Sequence, residues 1–129
     1  MATETDTRSP FRAAFEAEQA RREAERRARD AAERAQQEAD LDYARQLAQA
    51  LGADPAFLTE HALTLELRRY TVSLNHHDYV IAAYFEAGRA SITLADKRST
   101  PMAAPRKQQT VLSVDQALTT MANFLADET

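Results

Sequence analysis

The chain contains no cysteine and no tryptophan, and it has only two glycines among its 129 residues. Without cysteine there are no disulfides, thiolate metal ligands or cysteine nucleophiles. Two glycines cannot supply the glycine-rich loops that bind nucleotide phosphates, and no GxSxG-like turn for a serine nucleophile is present. We therefore expect a protein that is not an enzyme and that uses no cofactor, metal or small-molecule substrate.

Long hydrophobic runs are also lacking. No segment approaches the roughly 18 consecutive apolar residues that a membrane-spanning helix needs, and the first ten residues, MATETDTRSP, lack the apolar core of a signal peptide. The net charge of -4 gives no general attraction to nucleic acid or to an anionic membrane. These absences predict a cytoplasmic protein without membrane contact. The abundance of alanine and arginine is typical of a bacterial or phage accessory protein.

The most informative feature present is a periodic series of alanines in a stretch of Arg, Glu, Asp and Gln. The spacing of four, three and four residues repeats every eleven residues, close to the 3.6-residue turn of a straight helix. Ser9 and Pro10 are favourable residues for a helix start, and neither Gly nor Pro follows before Gly52. We predict a long helix with one methyl-rich face, formed by the alanines at 13, 17, 20, 24, 28, 31, 35 and 39.

Two phenylalanines, Phe11 and Phe15, are the only large apolar residues between Met1 and Leu41. They are one helical turn apart and would be the main anchors for a partner. Three interpretations remain open: a solvated charged helix, a dimeric coiled coil, or a helix that docks on a different protein. The candidate protein-binding residues are Phe11, Phe15, Ala17, Ala20, Ala24 and Ala28.

The fold class predicted from the pattern is α+β. A long N-terminal helix is followed by a short helix over 55–61, which Asp54 caps and in which Phe57 and Leu58 turn inward, and by a three-stranded antiparallel meander. Apolar residues alternate with polar ones at 63, 65 and 67 and then, in the opposite phase, at 70, 72 and 74. We interpret the change of phase at Arg68-Arg69 as a bulge or a helix-to-strand junction, and the run YVIAAYF over 79–85 as a central strand covered on both faces. A capping box at Ser113 and Gln116 predicts a C-terminal helix. The predicted organisation is a disordered tail over 1–9, a helix over 10–52 and a small α+β domain over 53–129.

A loop over 97–110, with two prolines and no periodicity, suggests an alternative function. Its basic residues could contact phosphates, with exposed Tyr70 and Tyr84 on the sheet for base stacking. The helix, three strands, helix order resembles that of double-stranded RNA-binding domains, although Ser113–Gln116 stands where those domains place lysines. The candidate nucleic-acid-binding residues are Lys97, Arg98, Arg106 and Lys107.

The cluster His76-His77-Asp78 contains residue types that bind metals or transfer protons. Its spacing matches no known metal motif, and a polar hairpin turn explains it equally well. We therefore expect a protein-interaction module, acting as an adaptor, assembly factor or inhibitor, that binds a partner or itself through the N-terminal helix. The alternative is a nucleic-acid-binding module that uses the basic loop and the exposed sheet face.

Overall fold

A computed structural model describes residues 9–97 and 104–129 of the chain. The fold is α+β with a long N-terminal helix, as predicted. The predicted disordered tail lies outside the described residues except for Ser9, and so does the centre of the predicted loop. The elements in chain order are α1 (Pro10–Leu51), α2 (Pro55–Glu60), β1 (Thr64–Arg68), β2 (Thr71–Asn75), β3 (Tyr79–Glu86), β4 (Arg89–Asp96), β5 (Lys107–Val111) and α3 (Val114–Glu128).

The residues predicted to begin the helices do so. Ser9 Oγ accepts a hydrogen bond from the Arg12 amide at 3.0 Å, at the start of α1. Asp54 and Ser113 occupy the same N-cap position in α2 and α3. Each cap satisfies an amide that has no partner inside its helix.

The chain divides into two compact units, residues 1–35 and 36–129, so the boundary falls within α1. In the first unit no described residue is buried, and residues 19–35 are all exposed. The second unit contains the sheet, α2, α3 and the last turns of α1.

The sheet has five antiparallel strands in the order β1-β2-β3-β4-β5, so the prediction of a three-stranded meander was wrong. One error lies at Arg68-Arg69. Arg68 pairs with Thr71, and Arg69 adopts a left-handed backbone with φ of 51°. The slip in alternation is therefore a two-residue hairpin turn between β1 and β2. It lacks the Gly, Asn or Asp that usually marks such a turn.

The second additional strand, β5, lies in the segment predicted as a loop. It pairs with β4 from Ala90↔Val111 to Leu94↔Lys107. Among its five residues only Val111 is buried, because β5 is an edge strand that pairs through its backbone and buries little side-chain surface. A strand of this kind carries no hydrophobic alternation that a sequence pattern could detect.

The core lies on one face of the sheet. Alternate residues of β3 and β4, including Ile81 and Ile92, are fully buried together with Ala44 and Leu47 of α1 and Met121 of α3. The prediction that β3 is covered on both faces was wrong. On the face opposite the core, Val80 and Ala82 are only half-buried and Tyr84 is exposed. The second unit therefore has two layers, with helices on one face of the sheet.

Asp40 attaches the last turns of α1 to the β3–β4 turn. Its carboxylate is 3 % exposed and accepts hydrogen bonds from the backbone amides of Ala87 and Gly88, each at 3.0 Å. It also accepts one from Gln36 Nε2 at 3.1 Å. Ala87 and Gly88 have φ of 53° and 77°, the left-handed conformation required at both central positions of a type I′ hairpin turn. The carboxylate thus accepts hydrogen bonds from two turn amides that lie beyond the last residue pair of β3 and β4.

Candidate functional site

The aromatic pair predicted as a partner anchor is exposed at the start of α1. The side chains of Phe11 and Phe15 are 83 % and 54 % exposed, and residues four apart share a helix face. Ala17, Ala20, Ala24 and Ala28 are exposed as well. All six candidate protein-binding residues are therefore accessible in the single chain.

Charged side chains on α1 pair with each other along the helix. Glu18 pairs with two arginines, since it accepts from Arg22 Nε at 2.8 Å and from Arg21 Nε at 3.0 Å. The hydrogen bond from Arg21 is the largest of the effects that lower the pKa of Glu18 from 4.5 to about 2, and Arg22 adds to it. Glu23 and Arg27, four residues apart, form a further pair at 3.5 Å. Pairs of this kind support an exposed helix by a few tenths of a kcal/mol each.

A groove with apolar walls lies in the second unit and was not predicted from the sequence. It has a volume of about 520 Å³. We call it the apolar groove, and it is lined by Ala50, Leu51, Asp54, Phe57, Leu58, His61, Leu74, Leu118, Met121, Ala122, Leu125, Ala126 and Thr129.

Phe57 was expected to turn into the core, but it is 42 % exposed and belongs to this groove. Leu58, the next residue, packs against the core as predicted. Adjacent residues of a helix project about 100° apart, so when Leu58 of α2 faces the core, Phe57 faces the groove.

The histidine cluster forms part of a polar cleft. The Asp78 amide donates to His76 Nδ1 at 3.0 Å, and the His76 ring stacks on Tyr79 with centroids 4.4 Å apart. Burial is the main cause that raises the pKa of Tyr79, with Glu128 and Asp78 contributing. His77 is exposed. Within residues 9–97 and 104–129, no three His, Cys, Asp or Glu side chains are arranged to hold a metal ion.

Two of the predicted nucleic-acid-binding cations are paired with acids. Arg106 lies between Asp96, with Nε to Oδ2 at 2.9 Å, and Glu128, with Nη2 to Oε1 at 2.7 Å. The hydrogen bond to Glu128 is the largest cause that raises the pKa of Arg106. Lys107 pairs with Asp127 at 2.5 Å. These acids neutralise charge that a phosphate would otherwise meet.

Of the other residues of the nucleic-acid prediction, Tyr70 and Tyr84 lie near each other, since Thr71 pairs with Tyr84 and the Phe85 amide donates to the Tyr70 carbonyl. Lys97 is exposed, and Arg98 lies outside the described residues. Tyr84 is 43 % exposed and donates to Glu86 at 2.8 Å, and this hydrogen bond is the main cause that raises the pKa of Tyr84. Tyr70 is half-buried. Binding of nucleic acid stays a prediction from the sequence, without added support from this geometry.

No protein-family model, curated protein or solved structure matches the chain significantly. In the part of the chain that the structure describes, every helix is too short or too polar to cross a bilayer. A functional assignment must therefore come from the geometry of the exposed helix and the surfaces of the second unit.

Proposed function

We propose that this chain is a non-enzymatic protein-interaction module that binds a partner or a second copy of itself through the first turns of α1. The observation that carries the proposal is the exposure of Phe11 and Phe15 on one helix face. A cytoplasmic location, predicted from the sequence, belongs to the same proposal.

Magnitudes favour the aromatic pair over the alanines as the source of affinity. Burying a phenylalanine side chain contributes about 1.5–3 kcal/mol, whereas a methyl group contributes at most about 0.8 kcal/mol. Two phenylalanines therefore match or exceed the four candidate alanines, and they are held on a preformed helix that loses little conformational entropy on binding. The charged rows beside them set orientation and specificity.

The test is a double substitution, Phe11→Ala with Phe15→Ala, examined by light scattering over a range of concentrations and by cross-linking in the native host. We expect the variant to lose the association of the wild-type chain and to keep its unfolding temperature. Leu112→Ala is the matched control, because Leu112 is a large apolar residue that is 71 % exposed in the second unit. A double variant that associates as the wild type does would overturn the proposal.

A further inference from the structure

We infer that the apolar groove is the receptor for the Phe11–Phe15 turn of a second copy, and that two chains exchange these turns reciprocally in a symmetric dimer. The inference rests on the proposed function of α1. It adds the surface that the aromatic pair binds and the stoichiometry of the assembly.

The groove has the form that receives a helix. One wall comes from α3, through Leu118, Ala122 and Leu125, and the opposite wall from α2 and the last turn of α1. The floor is well packed, since Leu74 and Met121 are 3 % and 1 % exposed. The volume of about 520 Å³ lies within the range of roughly 300–1,000 Å³ typical of ligand-binding pockets.

The first turns of α1 carry the matching ligand. Helices that bind in apolar grooves use large side chains three or four residues apart, and Phe11 and Phe15 have this spacing. Arg12 is the only charged residue from Ser9 to Phe15, and it pairs with Glu16 at 3.2 Å. The groove lining contains one acid, Asp54, and neither Lys nor Arg. The two surfaces therefore match in polarity, and one chain carries both.

The buried area decides between one contact and two. A phenylalanine can bury about 150–250 Å². Because Phe11 and Phe15 are 83 % and 54 % exposed, one turn in one groove covers roughly 400–700 Å² when both surfaces are counted. A stable interface needs about 1,200–2,000 Å², which a single contact does not reach. A reciprocal exchange doubles the area to roughly 800–1,400 Å², which overlaps the lower end of this range, and it satisfies two-fold symmetry, in which each chain supplies the same two surfaces.

The first experiment changes the groove and leaves the aromatic pair intact. Ala122→Arg places a large cationic side chain on the α3 wall at an exposed position. Asn123→Arg is the matched control, because Asn123 is the next residue of α3, is exposed and does not line the groove. By sedimentation equilibrium we expect Ala122→Arg to raise the dimer dissociation constant at least tenfold and Asn123→Arg to change it less than twofold.

The absence of native cysteine permits a second, direct experiment. A chain carrying Ala14→Cys is mixed with one carrying Ala122→Cys and treated with a short bismaleimide. The control mixture replaces Ala122→Cys with Asn123→Cys. We expect cross-linked heterodimers mainly in the first mixture.

The outcomes separate this inference from the proposed function. If the Phe11→Ala, Phe15→Ala variant dissociates but Ala122→Arg stays dimeric, the aromatic pair binds elsewhere, and only the groove is refuted. If the double phenylalanine variant associates normally, the proposed function fails first. A monomeric wild-type chain, an assembly larger than two chains, or equal cross-linking in both mixtures would also overturn the reciprocal dimer.

Discussion

Replacing Asp40 with alanine should strongly destabilise the second unit. The substitution removes the acceptor for the amides of Ala87 and Gly88 and for Gln36 Nε2. Hydrogen bonds to a charged group contribute about 1.5–3 kcal/mol each. Ala87 is exposed, so water can replace part of the loss at the turn.

We therefore expect Asp40→Ala to lower the free energy of unfolding by about 2–4 kcal/mol, below the plain sum of three charged hydrogen bonds. Against a total stability of about 5–15 kcal/mol, this is a large fraction. The unfolding temperature should fall by roughly 10–25 °C, since 1 kcal/mol shifts a domain of 60–100 residues by about 4–8 °C. Asp40→Asn keeps one acceptor oxygen and should lie between alanine and the wild type.

The assay is urea unfolding followed by near-ultraviolet circular dichroism. All four tyrosines of the chain, at 43, 70, 79 and 84, lie in the second unit, so the signal reports that unit. Asp42→Ala is the matched control, because Asp42 is exposed and pairs with the exposed Arg45 at 3.1 Å; we expect a change below about 1 kcal/mol. If Asp40→Ala unfolds at the same urea concentration as Asp42→Ala, the role assigned to the buried carboxylate is wrong.

Three further predictions follow from single contacts. In urea unfolding, Ala87→Asn should raise the free energy of unfolding by about 0.5–1 kcal/mol and Gly88→Ala should lower it by about 1–2 kcal/mol, because both positions of the type I′ turn are left-handed. If both substitutions changed the free energy of unfolding in the same direction, this reasoning would be contradicted. Met121→Ala should cost about 2–5 kcal/mol in the same assay because Met121 is fully buried, and a smaller loss would show that the core relaxes around the cavity. A carbon-detected titration should give Glu18 a pKa of about 2, and Arg21→Ala should return this pKa towards 4.5. Because the pKa is lowered in the folded state, the contribution of Glu18 to stability is present above about pH 4.5 and is lost as the pH falls through about 2.

The helices were predictable because their signals are local. The alanine period and the absence of Gly and Pro before Gly52 predicted α1, and the caps at Ser9, Asp54 and Ser113 fixed three helix starts. The sheet was only partly predictable. The β1–β2 turn uses Arg69 in a left-handed conformation, and β5 is held by backbone pairing, so neither feature has a distinctive residue pattern.

The apolar groove was not predictable as a site, although several of its residues were recognised. Leu118, Met121 and Leu125 have the three- and four-residue spacing of one helix face, and Leu58 was predicted to turn inward. Only the tertiary structure brings α1, α2 and α3 around one cavity. Asp40 poses the same problem, because in the sequence Glu-Ala-Asp-Leu-Asp nothing separates the buried Asp40 from the exposed Glu38 and Asp42.

The two halves of α1 are stabilised by different physics, and this difference underlies the binding role that we propose for the first half. From Gln36 onward, Asp40, Ala44 and Leu47 are buried and belong to the second unit. Before Ala35 the described helix buries nothing, and pairs such as Glu18 with Arg22 support it locally. Because those polar pairs need no apolar surface, the phenylalanines at 11 and 15 are not required for the helix itself. Their exposed area is therefore free to contribute to binding.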